Sequence, residues 1–105
     1  MEYVNPSDDL VPAAEVLRAL GHPVRLRIAA GLLDRGCCVG PMTACLGIPQ
    51  PLVSRHLAVL REAGVVAVER QGRLRRYRVA HPAVRAIVTA ALGTEALEAF
   101  PEEAA

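Results

Sequence analysis

The sequence contains no lysine and no tryptophan, and only two tyrosines and one phenylalanine. With so few aromatics, the apolar excess of Ala, Val and Leu suits helix packing better than a ligand-filled barrel. No apolar run approaches the length needed to cross a bilayer. The opening stretch MEYVNPSDDL lacks the basic segment and apolar core of a secretory signal, so a soluble cytoplasmic protein is expected. Gly-rich phosphate loops and nucleophile elbows are absent, and no Ser or Cys has a His and a carboxylate close in sequence; an enzyme is not expected. Three cysteines are an odd count, and the cytoplasm keeps thiols reduced. They read as ligands, sensors or small buried apolar groups rather than as a disulfide framework.

What charge there is lies unevenly. All twelve basic residues are Arg, and the net charge of +1 hides a block over residues 50–85 with eight Arg against Glu62 and Glu69. Residues 86–105 hold four Glu and no basic residue. Such a block is what a phosphate-binding surface requires, with the acidic end kept away from it. Arginine offers bidentate contacts that lysine cannot, although exclusive Arg with abundant Ala, Val, Gly and Pro equally fits a GC-rich genome. A chain of 105 residues makes one compact domain, residues 1–105, whose modest core would gain from burying apolar surface against a second copy.

Gly and Pro divide the chain into short helices followed by a hairpin. Ser7 or Asp8 can cap a first helix ending near Leu20, with Leu10, Ala14 and Leu17 on one face. A second helix is expected from Pro23 to about Arg35, with Val24, Ile28 and Leu32 facing a core and Gly36 ending it. After a linker, Cys37 to Gly40, Pro41 opens a short helix stopped by Gly47, and Pro49-Gln50-Pro51 opens another reaching Ala63-Gly64. Two helices joined by a tight Gly-containing turn form a helix-turn-helix. In the second of them Val53, Leu57 and Leu60 lie within about 60° of one another at the helical period, making a buried stripe. Gln50, Pro51, Ser54, Arg55, Ala58 and Arg61 take the opposite side, where small and hydrogen-bonding groups can reach base edges in a major groove. His56 stands about 60° from the stripe's centre, open to a phosphate contact or to a packed role.

The segment VVAVERQGRLRRYRV alternates apolar and polar residues around Gln71-Gly72, a hairpin signal. Arg70, Arg73, Arg75, Arg76 and Arg78 make it a basic wing. Pro82 then opens a last helix with Val84, Ile87, Val88, Ala91 and Leu92 in a wide apolar stripe suited to a dimer interface. The expected fold is mostly α with a small β-hairpin, a homodimeric winged helix-turn-helix.

The stretches LRALGHPVRLRIAAGLL and LGIPQPLVSRHLAVLREAGVV with the Arg-rich wing resemble the ArsR/SmtB repressors over roughly residues 15–80. That resemblance implies a dimer whose first and last helices form the interface, repressing an operon until an effector lowers its affinity for double-stranded operator DNA. The DNA contacts expected are Gln50, Pro51, Ser54, Arg55, His56, Arg61, Arg70, Arg73, Arg75 and Arg76. Members that sense arsenite or soft metals carry a Cys-x-Cys pattern here; this chain reads CCVGPMTAC, in which Cys38 matches the first cysteine and Gly40 replaces the second. Cys37 and Cys45 are additions. The zinc-type site of other members is not matched, since His81 and Glu95 lack the required partners. As(III), Sb(III) or a soft divalent metal ion is therefore the expected effector, held by Cys37, Cys38 and Cys45, with Cys45 open to being a ligand or core. No constitutive cofactor is expected. Oxidation or persulfidation of the thiols is the rival chemistry, and a winged-helix module that contacts proteins instead of DNA is the alternative of a different class.

Overall fold

The computed structural model describes residues 10–93 and 98–101. Five helices and three short strands follow in the order α1 (Leu10–Leu20), α2 (Pro23–Gly31), β1 (Cys37–Cys38), α3 (Val39–Leu46), α4 (Gln50–Glu62), β2 (Val66–Gln71), β3 (Leu74–Val79) and α5 (Val84–Leu92). The strands form one antiparallel sheet in the order β1-β3-β2. Helices α3 and α4 with the β2–β3 hairpin make a winged helix-turn-helix.

Ile28, Leu32, Met42, Val53, Leu57, Leu60, Val65 and Val84 are each 2% exposed or less and centre the core. The stripe Val53, Leu57 and Leu60 turns α4 inward on one side and leaves its other side to solvent. Gly47, in the left-handed region at φ 68°, closes α3, its N–H donating to the Thr43 carbonyl, and swings the chain into α4.

Several expectations need correction. The residues α1 buries are Val16, Ala19 and Leu20; Leu10, Ala14 and Leu17 lie on its exposed side. The caps expected at Ser7 or Asp8 fall outside the described residues. Helix α2 stops at Gly31 rather than near Arg35: Leu32 leaves helical geometry at φ −101°, ψ 2°, and the Gly31 carbonyl accepts from Phe100 N–H. Cys37 and Cys38 are not a loop: they are a strand, registered on Tyr77 and Arg76. Helix α3 accordingly starts at Val39, with Pro41 inside its first turn. Helix α5 begins at Val84 rather than Pro82; the intervening turn is held by Ala83 N–H donating to His81 Nδ1 at 3.1 Å.

Candidate nucleic-acid interface

Burial of one side of α4 decides what its other side presents. Gln50, Pro51, Ser54, Arg55, Ala58 and Arg61 are all exposed. The wing approaches from β3, where pleating alternates the side chains: Tyr77 points inward, and Arg75, two residues earlier, shares its face. Ser54, Ala58, Arg61 and Glu62 of α4, Val39 of α3 and Arg75 and Tyr77 of β3 thus line a cleft of about 510 Å³ between helix and wing, two arginines against one carboxylate. Arg70 stands directly opposite Arg75 across the hairpin. Like charges in register repel, and an anion between or beside them removes that cost. Arg73 lies at the exposed tip.

The arginines fall into two groups. Arg18 pairs with Glu15, Arg78 Nε with Glu69 Oε1 at 2.9 Å, and Arg85 Nη2 with Asp34 Oδ1 at 2.8 Å. Arg25 donates to the Ala19 carbonyl, Arg27 to the Glu98 carbonyl and Arg35 to the Phe100 carbonyl. By contrast Arg55, Arg61, Arg70, Arg73 and Arg75 have neither an ion pair nor a side-chain hydrogen bond among the described residues, and all five belong to α4 or the wing.

Two of the expected contacts are placed elsewhere. Arg76 is on the opposite face of β3 from Arg75, registered on Cys38, with its side chain over Gly36, where a β carbon would meet Arg76 Cγ at 3.3 Å. His56 is 8% exposed and takes the packed alternative. Its ring lies 4.5 Å from that of His22, and its Nδ1 is 3.5 Å from Arg25 Nη1. His22 itself caps α2, its Nδ1 accepting from Val24 N–H. Burial, followed by Coulombic coupling to His22, Arg25 and Arg55, holds the His56 imidazole below its ordinary 6.5, so at neutral pH it is uncharged. His56 therefore ties α4 to the start of α2 rather than offering a charge to DNA.

The thiols do not gather. Cys37 and Cys38 are 1% and 4% exposed, and Cys37 Sγ donates to the Cys38 carbonyl at 3.2 Å. Cys45, far along α3, is exposed, which removes its core alternative. Cys38 ends β1 just before α3 and Cys45 stands seven positions further on in that helix, a rise of about 10 Å, whereas two sulfurs on one ion with bonds of about 2.3 Å stand less than about 5 Å apart. Among the described residues no three His, Cys, Asp or Glu side chains are grouped to hold a metal. The expected three-sulfur set does not fit this chain as folded. Phe100 was not singled out by the sequence reading, yet it is 1% exposed; being the one phenylalanine in an acidic, alanine-rich end was the signal available.

A buried-stripe helix set beside a basic β-ribbon defines the class, a winged helix-turn-helix with an arginine-lined outer face. The family model of the bacterial regulatory proteins of the arsR family matches residues 22–68. Over 75 residues the chain is 48% identical to the HTH-type transcriptional repressor SmtB of Mycobacterium tuberculosis, a match covering 71% of this chain and 56% of that repressor. The matched part thus spans little more than half of that relative's length. The transcriptional repressor BigR from Xylella fastidiosa superposes with a TM-score of 0.69 at 36% identity, covering 74% of this chain and 80% of that one. HlyU from Vibrio cholerae gives 0.75 at 28% identity, covering 81% and 92%. The chain belongs to the ArsR family of bacterial regulatory proteins. SmtB and BigR are transcriptional repressors, not enzymes, and among the described residues no helix is long and apolar enough to cross a membrane.

Proposed function

We propose that the chain is a transcriptional repressor that grips operator DNA as a homodimer, with α4 in the major groove and the β2–β3 wing along the flanking backbone. The observation that carries this is the partition of the arginines: the five without partners among the described residues all face outward from α4 and the wing. A polyanion supplies the partner each of them lacks, and displaces condensed counterions in doing so. Between them, Gln50 and Ser54 can hydrogen-bond base edges while Pro51 and Ala58 keep the approach narrow. The second copy is supported by the outer faces of α1 and α5. Leu10, Val11 and Leu17 are exposed on α1 and Leu92 on α5. An adjoining groove of about 520 Å³ is lined by Pro12, Ala13, Val16, Leu17, His81, Ala83 and Ile87. The same surface on a second chain would cover this apolar strip about a two-fold axis, making residues 1–105 one winged-helix unit with dimerising helices at both ends.

The effector in this reading acts on the vicinal thiols Cys37 and Cys38. Thiolates favour soft ions such as As(III), Sb(III) or a soft divalent metal. Both sulfurs are buried in β1, so reaching them requires β1 to part from β3, which is also the inner strand of the wing. Effector chemistry on β1 and the DNA-gripping ribbon are therefore coupled through the β1–β3 pairing. Persulfidation or oxidation needs the same opening and is told apart only by the titrant. The test is fluorescence anisotropy of labelled DNA from upstream of the protein's own gene, with reduced protein and added arsenite, antimonite, cadmium, zinc or polysulfide. Selective retention, release by a thiophilic agent, and no release in the Cys37→Ser, Cys38→Ser double variant are expected. Equal retention of random DNA, or none, would favour a protein-contacting module; full release of the double variant would refute thiol sensing.

A further inference from the structure

Phe100 lies in a segment without helix or strand, at the acidic end of the chain, and is nonetheless fully buried. It is seated by four separate contacts on α2 and the bend after it. Its N–H donates to the Gly31 carbonyl at 3.2 Å, and Arg35 Nη2 donates to its own carbonyl at 2.8 Å. Arg27 Nη1 donates to the Glu98 carbonyl at 3.2 Å, and the Arg27 guanidinium carbon stands 4.6 Å from the centre of the Phe100 ring. Glycine at position 31 leaves room for both the ring and the arginine, because a β carbon there would come within 2.5 Å of Phe100 Cε2, 2.7 Å of Cδ2 and 2.6 Å of Arg27 Nη1. Residues 98–101 are thus keyed into α2 by ring, backbone and two arginines.

The contact does not end at α2. The other terminal nitrogen of Arg27, Nη2, reaches Cys45 Sγ at 3.7 Å, one residue before the end of α3. Helix α3 passes through Gly47 directly into α4. One guanidinium is therefore shared by the strap, by α2 and by the helix that supports α4, and the strap follows α5 in the chain.

We propose that residues 98–101 are a latch on the helix-turn-helix: seated, the strap holds Arg27 where it braces α3 against α2; lifted, it frees Arg27 and loosens α3 and α4. DNA selects the braced form, so lifting the strap lowers DNA affinity by the difference between the two forms. The inference rests on α4 reading DNA. It adds a second control point, separate from the buried thiols, at the opposite end of α3.

Two variants lift the strap by different means: Phe100→Ala removes the key, and Gly31→Ala fills the keyhole while favouring the helix. Glu98→Ala is the control, since the strap uses only the Glu98 carbonyl. Affinity for the upstream DNA is measured well below each variant's thermal midpoint, alongside amide hydrogen exchange. Both lifting variants should bind about tenfold more weakly, with α3 amides exchanging several-fold faster while β2 and β3 amides keep their rates; Glu98→Ala should match the parent chain. A folded Phe100→Ala or Gly31→Ala chain with parental affinity and parental α3 exchange overturns the latch. So does a uniform acceleration across all elements, which is the mark of a merely structural plug. If either variant fails to fold, Arg27→Gln keeps the strap's bonds to Gly31 and Arg35 but cuts the bridge to α3, and parental affinity there overturns the latch equally. Should the parent chain itself show no selective DNA binding, the repressor reading fails, while faster α3 exchange in Phe100→Ala still upholds the brace and unchanged exchange refutes it.

Discussion

Arg75 and Arg76 are neighbours in sequence with opposite surroundings, and the difference is the strand period of two. Arg75 faces the cleft with Ser54 and Arg61, and Arg76 lies over Gly36 beside β1. Arg75→Ala should weaken binding to every DNA sequence alike, whereas Arg76→Ala should leave the salt dependence unchanged; titrations at several salt concentrations decide it. Base reading is a separate property. Ser54→Ala or Gln50→Ala should change the preferred sequence, by about 1–3 kcal/mol of discrimination for each lost base contact, and equal effects on specific and random DNA would remove them from that role. His56 makes a pH-dependent contribution of definite sign. Its folded-state value lies below 6.5, so the unfolded chain takes up the proton more readily. The stability it contributes is complete above pH 6.5 and is lost as the pH falls through the lowered folded value. Urea midpoints measured at pH 7.5 and 5.5 should drop on acidification, and His56→Gln should drop less; an equal drop in both would clear His56 of the effect.

At the scale of elements, the periodic helices were legible and the short or borrowed ones were not. The spacing of Val53, Leu57 and Leu60 identified α4 and its inward side because a helix repeats that spacing whatever surrounds it. The two-residue strand β1 was illegible, since Cys37 and Cys38 become a strand only by lying against Tyr77 and Arg76, forty residues on. The inward side of α1 was misread for a different physical reason. Leu10, Ala14 and Leu17 do form an apolar stripe, but it faces away from the chain's own core, as a surface meant for a second copy would. Burial of a charge is expensive, so if α1 forms the proposed interface, the parent chain should sediment as a dimer at micromolar concentration and Leu17→Glu as a monomer. A variant that stays dimeric would put the interface elsewhere. Of the candidate site, the exposure of the α4 residues and of Arg70, Arg73 and Arg75 on the wing could be read from pattern and charge. The fates of His56, Arg76 and the three thiols could not, because each depends on what another element brings next to it.

At the scale of the whole molecule, the proposed dimer would present two α4 helices to successive major grooves of a pseudo-palindrome, about one helical turn apart. In that arrangement each copy would bring the same five arginines, ten in all, and every phosphate they neutralise would add about 0.9 to the slope of log affinity against log salt. Arg78 and Arg85, already paired with Glu69 and Asp34, should add less. The most direct measurement is that slope for the upstream DNA, in the parent chain and in single Ala variants at Arg61, Arg70, Arg73 and Arg75, with Arg78→Ala and Arg85→Ala beside them. Each of the first four should flatten the slope by about 1–2 units, the upper value arising when both copies lose a contact, and the last two should flatten it less. Equal flattening in both groups, or a slope untouched by the first four, would contradict the assignment of α4 and the wing as the face that holds DNA.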